Sequence, residues 1–212
     1  MLISFKQIWK YLENEVFGWE STPTMFNQYN DYDKHYDIED SHIIRRKNLQ
    51  NYFTSFNKYP SYILIGEAPG PNGCRFSGVP FTNEKQLVTE GLLPFKGQKT
   101  SLGEKPYSGT SANIFWETLK PYHPEFIAWD CIPFHPHYEG DPLSIRTPRR
   151  VEIREHLGHL VKVISLLSHA EPVAIGRKAQ SALKLLNRDV LYIRHPARGG
   201  KPEFIKGILE LW

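Results

Sequence analysis

Tyr62-Ile63-Leu64-Ile65-Gly66-Glu67-Ala68-Pro69-Gly70 sets the architecture. Four apolar residues run without polar alternation and stop abruptly at glycine, a carboxylate and proline. A run this short is read as a strand buried on both faces rather than as an amphipathic helix. Three more runs of the same kind appear further along: Phe126-Ile127-Ala128-Trp129, Pro172-Val173-Ala174-Ile175 and Val190-Leu191-Tyr192-Ile193. Helical patterns separate them. Thr110 is placed to cap a helix carrying Ile114, Phe115 and Leu119. Thr147-Pro148 is placed to open a long helix with an Ile153, Leu157, Leu160, Val161, Ile164, Leu167 stripe. Ala179, Leu183 and Leu186 mark a shorter helix, and a last one starts after Pro202 with Phe204, Ile208 and Leu211. Strands alternating with helices predict a three-layer α/β/α fold with a central, mainly parallel four-stranded sheet.

Residues 59–212 are read as this α/β domain and residues 1–58 as a helical extension packed on it. Phe5, Ile8, Leu12 and Val16 recur at helical spacing, and a second helix is expected over 41–58 with Ile44, Leu49, Tyr52, Phe53 and Phe56. The Asn-, Asp- and Tyr-rich stretch 27–40 reads as a loop, and no chemistry is assigned to residues 1–58. The interval Gly66–Gly109 holds 8 of the 15 glycines and little periodicity. So long an irregular segment inside a compact domain is read as either functional or disordered.

Composition narrows the classes. Hydrophobic residues make up 40% and charged residues 23%, which argues against a disordered chain. No apolar run reaches the roughly 18 residues a membrane span needs, and Met1-Leu2-Ile3-Ser4-Phe5-Lys6 lacks the marks of a signal peptide, so a cytoplasmic protein is expected. Cys74 and Cys131 are too few for a disulfide framework or a four-thiolate cluster. Residues 146–212 carry 13 Lys and Arg against 6 Asp and Glu, although the whole chain is only +3. That bias suits either a phosphate-facing surface or solvated helix faces.

Ligands of open parallel sheets bind at the carboxyl ends of the strands. The first proposed strand ends in Gly66-Glu67-Ala68-Pro69-Gly70, and the second in Asp130-Cys131-Ile132-Pro133-Phe134-His135-Pro136-His137. The third runs into Gly176-Arg177-Lys178, and the fourth into Arg194-His195-Pro196-Ala197-Arg198-Gly199-Gly200. Two carboxylates, several histidines and several cations thus converge on one edge of the sheet. His123, His135 and His137 do not form a metal pattern, because no Glu-x-x-His supports them and prolines interleave the pair; no metal is assigned. Gly66–Gly70 lacks the Gly-Lys-Ser/Thr of a P-loop and the spacing of a dinucleotide fingerprint.

The same segments resemble the uracil-DNA glycosylase superfamily over about residues 60–205. Gly66-Glu67-Ala68-Pro69-Gly70 and Gly78-Val79-Pro80-Phe81-Thr82 are similar to its first motif and base-stacking segment, and Arg194-His195-Pro196-Ala197 to its last motif. Pro133-Phe134-His135-Pro136-His137, Arg146-Thr147-Pro148 and Ile175-Gly176-Arg177-Lys178-Ala179-Gln180 resemble turns of a bacterial branch without an iron–sulfur cluster. The resemblance implies hydrolysis of the base–sugar bond in DNA as part of base excision repair, by a monofunctional enzyme with no cofactor. Ala68, Phe81, Asp130 and His195 would hold the flipped base, with Phe81 as its stacking platform. His195 would donate to the departing base, Glu67 would position water, and catalysis would use Glu67 and Asp130 with His195. Arg177, Lys178, Arg194, Arg198 and Lys201 would contact DNA. A monomer is expected.

Asp130 departs from the pattern, which has asparagine there. An amide both donates and accepts, whereas an ionised carboxylate only accepts. The base is therefore left open: an edge with two adjacent donors suits the anion, and burial raising the carboxyl pKa would change the reading. Asp130 as the catalytic carboxylate, with Glu67 structural, is a second option. So is a member of the family that binds a base or nucleic acid without cleaving it.

Overall fold

The computed structural model describes all residues, 1–212. In chain order it contains α1 (Ile3–Glu15), β1 (Met25–Phe26), α2 (Ser41–Thr54), β2 (Tyr62–Gly66), α3 (Cys74–Ser77), α4 (Glu84–Val88) and α5 (Thr110–Leu119). Then come β3 (Phe126–Asp130), β4 (His135–Pro136), α6 (Arg150–Leu166), β5 (Glu171–Ile175), α7 (Arg177–Lys184), β6 (Leu191–Ile193) and α8 (Lys201–Leu209). The fold is α/β. Its main sheet has strand order β3-β2-β5-β6, and every neighbouring pair is parallel. β1 and β4 form a separate two-residue antiparallel pair.

All four strands expected from the apolar runs are present. Ile63, Leu64 and Ile65 are fully buried, as are Phe126, Ile127 and Ala128. Consecutive side chains in a strand face opposite ways, and β3 shows both covers. Phe126 meets Phe115 and Trp116 of α5, while Trp129, three residues on, meets Phe53 of α2. Tyr52 covers the exposed edge of β3, its hydroxyl oxygen accepting from the Ala128 amide at 2.8 Å. Pairing an edge amide in this way removes a site for unwanted strand addition. Phe5, Ile8, Leu12 and Val16 are buried in the same hydrophobic cluster as the strands, so residues 1–58 share one core with the rest of the chain.

Several boundaries differ from expectation. Thr110 does not cap α5 with its side chain; Gly109 holds the N-cap position in extended backbone. Gly109 packs so closely on Asn72 that a Cβ there would lie 3.2 Å from the Asn72 carbonyl oxygen. The long helix starts at Arg150 rather than at Pro148. Glu152 accounts for this, because it accepts from the Arg149 amide at 2.6 Å and from Arg146 at 2.8 and 3.0 Å, pinning residues 146–149 outside the helix. The second helix stops at Thr54, short of 58, and Leu186 falls beyond α7. Val190 precedes β6, and Pro202 lies inside the first turn of α8. The Gly66–Gly109 interval is not featureless: it contains α3 and α4.

Candidate active site

The site is built where β2 and β3 end side by side. Gly66, the last residue of β2, is in register with Asp130, the last of β3. Gly66 is required by close approach. A Cβ on it would lie 2.4 Å from Asp130 Oδ1 and 2.6 and 2.8 Å from Phe81 Cε2 and Cζ. Those three distances place the Asp130 carboxyl beside the edge of the Phe81 ring. Phe81 stacks one face on Phe115, with centroids 4.4 Å apart and planes 18° apart. The ring is only half-buried.

Phe81 has φ +52°, in the left-handed region. That conformation costs a non-glycine residue roughly 1–2 kcal/mol, so its neighbours must hold it. They do so through Thr82. The Thr82 amide donates to Val79 O at 3.1 Å, Ser77 Oγ donates to Thr82 O at 2.7 Å, and Trp116 Nε1 donates to Thr82 Oγ1 at 2.9 Å. The turn therefore points an aromatic side chain out of a tightly bonded loop.

His195, after β6, completes the arrangement, its ring centroid 6.1 Å from that of Phe81. Gly176, at the end of β5 with φ +95°, makes room for it; a Cβ there would lie 3.0 Å from His195 Cβ. The Ala197 amide donates to His195 Nδ1 at 3.1 Å. A backbone N–H has only a proton to offer, so Nδ1 is the acceptor and the neutral ring carries its proton on Nε2. Burial, then Arg194 and Arg198, push the imidazole down to about 4. At neutral pH His195 is thus an uncharged donor.

The two carboxyl groups are poorly compensated. Burial raises Glu67, opposed by Lys178 and Arg198. Its Oε1 is buried with no hydrogen-bond partner. Asp130 is 5% exposed, and burial followed by the Glu67 charge pushes it up to about 8. Acids perturbed by burial together with a specific charged neighbour make this cleft a candidate functional site.

The structure thus gathers Glu67, Phe81, Asp130 and His195, with the half-buried Ala68 next to Glu67. Lys178 and Arg198 are exposed and close enough to act on Glu67. Arg177 is exposed at the start of α7, and Arg194 is half-buried, with both terminal nitrogens 3.5 Å from carbonyls of its own loop. Lys201 instead pairs with Glu117 at 3.3 Å. His135 and His137 stack 5.8 Å apart, and backbone carbonyls engage them: His135 Nδ1 lies 2.7 Å from Pro69 O and His137 Nδ1 lies 3.0 Å from Tyr138 O. His135 therefore braces the Glu67 loop. His123 lies apart from them, against Ser55 and Phe56.

One contribution was missed in the sequence. Residues 21–31, read as part of a connector without chemistry, buttress the site loops. Gln28 Nε2 donates to Pro133 O at 2.7 Å, and the Tyr29 hydroxyl donates to Gly78 O at 2.9 Å. Arg146 Nη2 donates to Thr24 O at 2.7 Å. These bonds join side chains to backbone across long sequence separations, and the only signal was a cluster of amides and aromatics without period.

Burial also sets the acid stability. His135, His156 and His195 are all pushed down to about 4, mainly by desolvation. Unfolded histidine titrates near 6.5, so between those values the unfolded chain binds more protons and stability falls as pH drops. Asp130 and Glu67, both raised by burial, work in the opposite direction, but these three histidines together with His42, His123 and His159, which burial also lowers, outweigh them. The urea midpoint is expected to fall clearly between about pH 7 and pH 5. An equal or higher midpoint at the lower pH contradicts this.

Residues 53–202 match the family described as the uracil DNA glycosylase superfamily. Among curated proteins, none matches by sequence. In overall fold the chain is similar to the crystal structure of wild-type Pedobacter heparinus SMUG2, with TM-score 0.65 and 14% identity, covering 100% of this chain and 97% of that one.

Proposed function

The chain belongs to the uracil-DNA glycosylase superfamily, and on that basis we propose that it hydrolyses the N-glycosidic bond of a modified base in DNA, leaving an abasic site. The observation that carries this reading is the convergence of an aromatic face, an uncharged imidazole donor, a buried carboxyl group and a half-buried one at the ends of parallel strands. A base in a duplex is out of reach of a hydrolase, so it must be turned out into a pocket. The free face of Phe81 gives it a stacking surface. As the bond to C1′ lengthens, negative charge grows on the base and positive charge on the sugar.

His195 Nε2–H serves as the donor to a base oxygen. A neutral imidazole suits this task, because it stabilises the developing anion without needing a proton at the start; such a donor contributes about 3–4 kcal/mol. Glu67 serves the sugar side. Its carboxylate orients water and faces the oxocarbenium-like centre. Lys178 and Arg198 favour its ionised form and, with Arg177 and Arg194, offer charge to phosphates.

The test is release of free base from oligonucleotides carrying uracil, hypoxanthine, xanthine or an alkylated base. At least one is expected to yield free base and an alkali-labile strand. A protein that binds these oligonucleotides with a steep salt dependence yet releases no base would instead be a non-catalytic family member.

A further inference from the structure

Buried carboxyl groups in this protein fall into two kinds. Glu84 accepts from the Thr100, Ser101 and Tyr107 amides at 2.5, 2.8 and 3.0 Å and from Ser101 Oγ at 2.7 Å. Asp37 lies between the guanidinium groups of Arg45 and Arg75. Both are surrounded as anions must be when taken out of water. Asp130 is 5% exposed, against 0% for Glu84 and 2% for Asp37, and its carboxyl has neither an ion pair nor a hydrogen bond from the protein.

Resting on the glycosylase reading, we propose that Asp130 works as a neutral carboxylic acid, reading the edge of the flipped base with one donor and one acceptor, so that its proton decides which bases are accepted. The geometry is suited to this. Asp130 Oδ1 and the Phe81 atoms Cε2 and Cζ all lie within 2.8 Å of one point above Gly66. The carboxyl therefore sits beside the ring, where the edge of a base lying on the ring face would come. The acid O–H donates to a base carbonyl, and its C=O accepts from the adjacent ring N–H. An ionised group in that place would set lone pairs against the carbonyl and would suit only an edge with two donors.

The surroundings keep the proton there. The titratable groups acting with Asp130 are Glu67 in the loop after β2, Cys74 on α3, Tyr29 from the N-terminal segment and Cys131 beside it in the chain. All are neutral or acidic. Lys178 and Arg198 act on Glu67 instead, so of the two carboxyls Glu67 ionises first. Asp130 is held up to about 8, which leaves it protonated at neutral pH.

The test compares the full-length protein with Asp130→Asn, whose amide has the same donor and acceptor without a titrating proton. Single-turnover base release from uracil- and hypoxanthine-containing oligonucleotides is followed from about pH 7 to about pH 9.5. Ionisation of the substrate itself cancels in the ratio of the two rates. Wild type loses its proton above about pH 8, so the ratio of Asp130→Asn to wild type is expected to rise at least about tenfold over this range. A ratio that stays constant, or a variant with no release at any pH, overturns the proposal. Should the wild type release no base at all, the glycosylase reading fails separately. Infrared difference spectra of the two proteins still decide the matter. A protonated carboxyl band absent from Asp130→Asn and lost above about pH 8 supports the proposal, and a carboxylate band at about pH 6 overturns it.

Discussion

Replacing Glu67 by glutamine is expected to lower single-turnover base release by about a hundred- to ten-thousandfold, with DNA affinity little changed. Glutamine keeps the size of the side chain and removes both its charge and its capacity to take a proton. A positioned general base contributes a factor of this order. The structure leaves Glu67 Oε1 buried with no protein hydrogen-bond partner, so this oxygen is not committed to holding its loop together. The cations nearest it, Lys178 and Arg198, are exposed, so they bias its ionisation without occupying it. An unchanged Kd with a depressed rate locates the loss in the chemical step. Because burial raises the Glu67 pKa, the acid limb of the rate profile is expected above the ordinary carboxylate range. If Glu67→Gln kept near-full activity, the carboxylate role would pass to Asp130 and both site assignments would change.

The other large effect is on stability. Asp37→Ala removes the carboxylate between Arg45 and Arg75, three side chains that are 0% exposed. Two guanidinium groups would then remain in the core. Burial already pushes Arg45 down to about 10 even with Asp37 beside it. Stranding a buried charge costs about 3–5 kcal/mol, and at roughly 2–4 °C per kcal/mol for a chain of this size the melting temperature is expected to fall by about 6–20 °C. Arg75 faces the rings of Phe26 and Phe76 at 4.6 and 4.2 Å, and those contacts do not replace a counter-charge. Thermal unfolding of the variant checks this; a change below about 1 kcal/mol would mean that the cluster relaxes to water. Arg75 leads directly into the Phe81 turn, so this variant is also expected to weaken base binding.

The sheet was legible in the sequence because strands of a parallel sheet buried on both faces leave uninterrupted apolar runs, as at Tyr62–Ile65 and Phe126–Trp129. The site came from one rule, that ligands gather at strand carboxyl ends, which brought Glu67, Asp130 and His195 together from the residue order alone. What sequence could not give was local and three-dimensional. The left-handed backbone at Phe81 depends on Ser77, Thr82 and Trp116, the last of them 35 positions away in the chain. The bracing of the Pro133 and Gly78 loops by Gln28 and Tyr29 leaves no periodic trace. The state of Asp130 hinges on donors that are missing around it, and a missing neighbour cannot be read from a string of residues. Helix starts failed where a side chain intervened, as Glu152 does at α6.

A crystal structure with a duplex carrying a non-cleavable 2′-fluoro nucleotide of the released base puts the proposed base pocket to the sharpest trial. The flipped base is expected on the free face of Phe81, its edge against Asp130, a base oxygen about 3 Å from His195 Nε2, and Glu67 on the sugar side. A base left in the helix, or seated away from these four side chains, would contradict that arrangement.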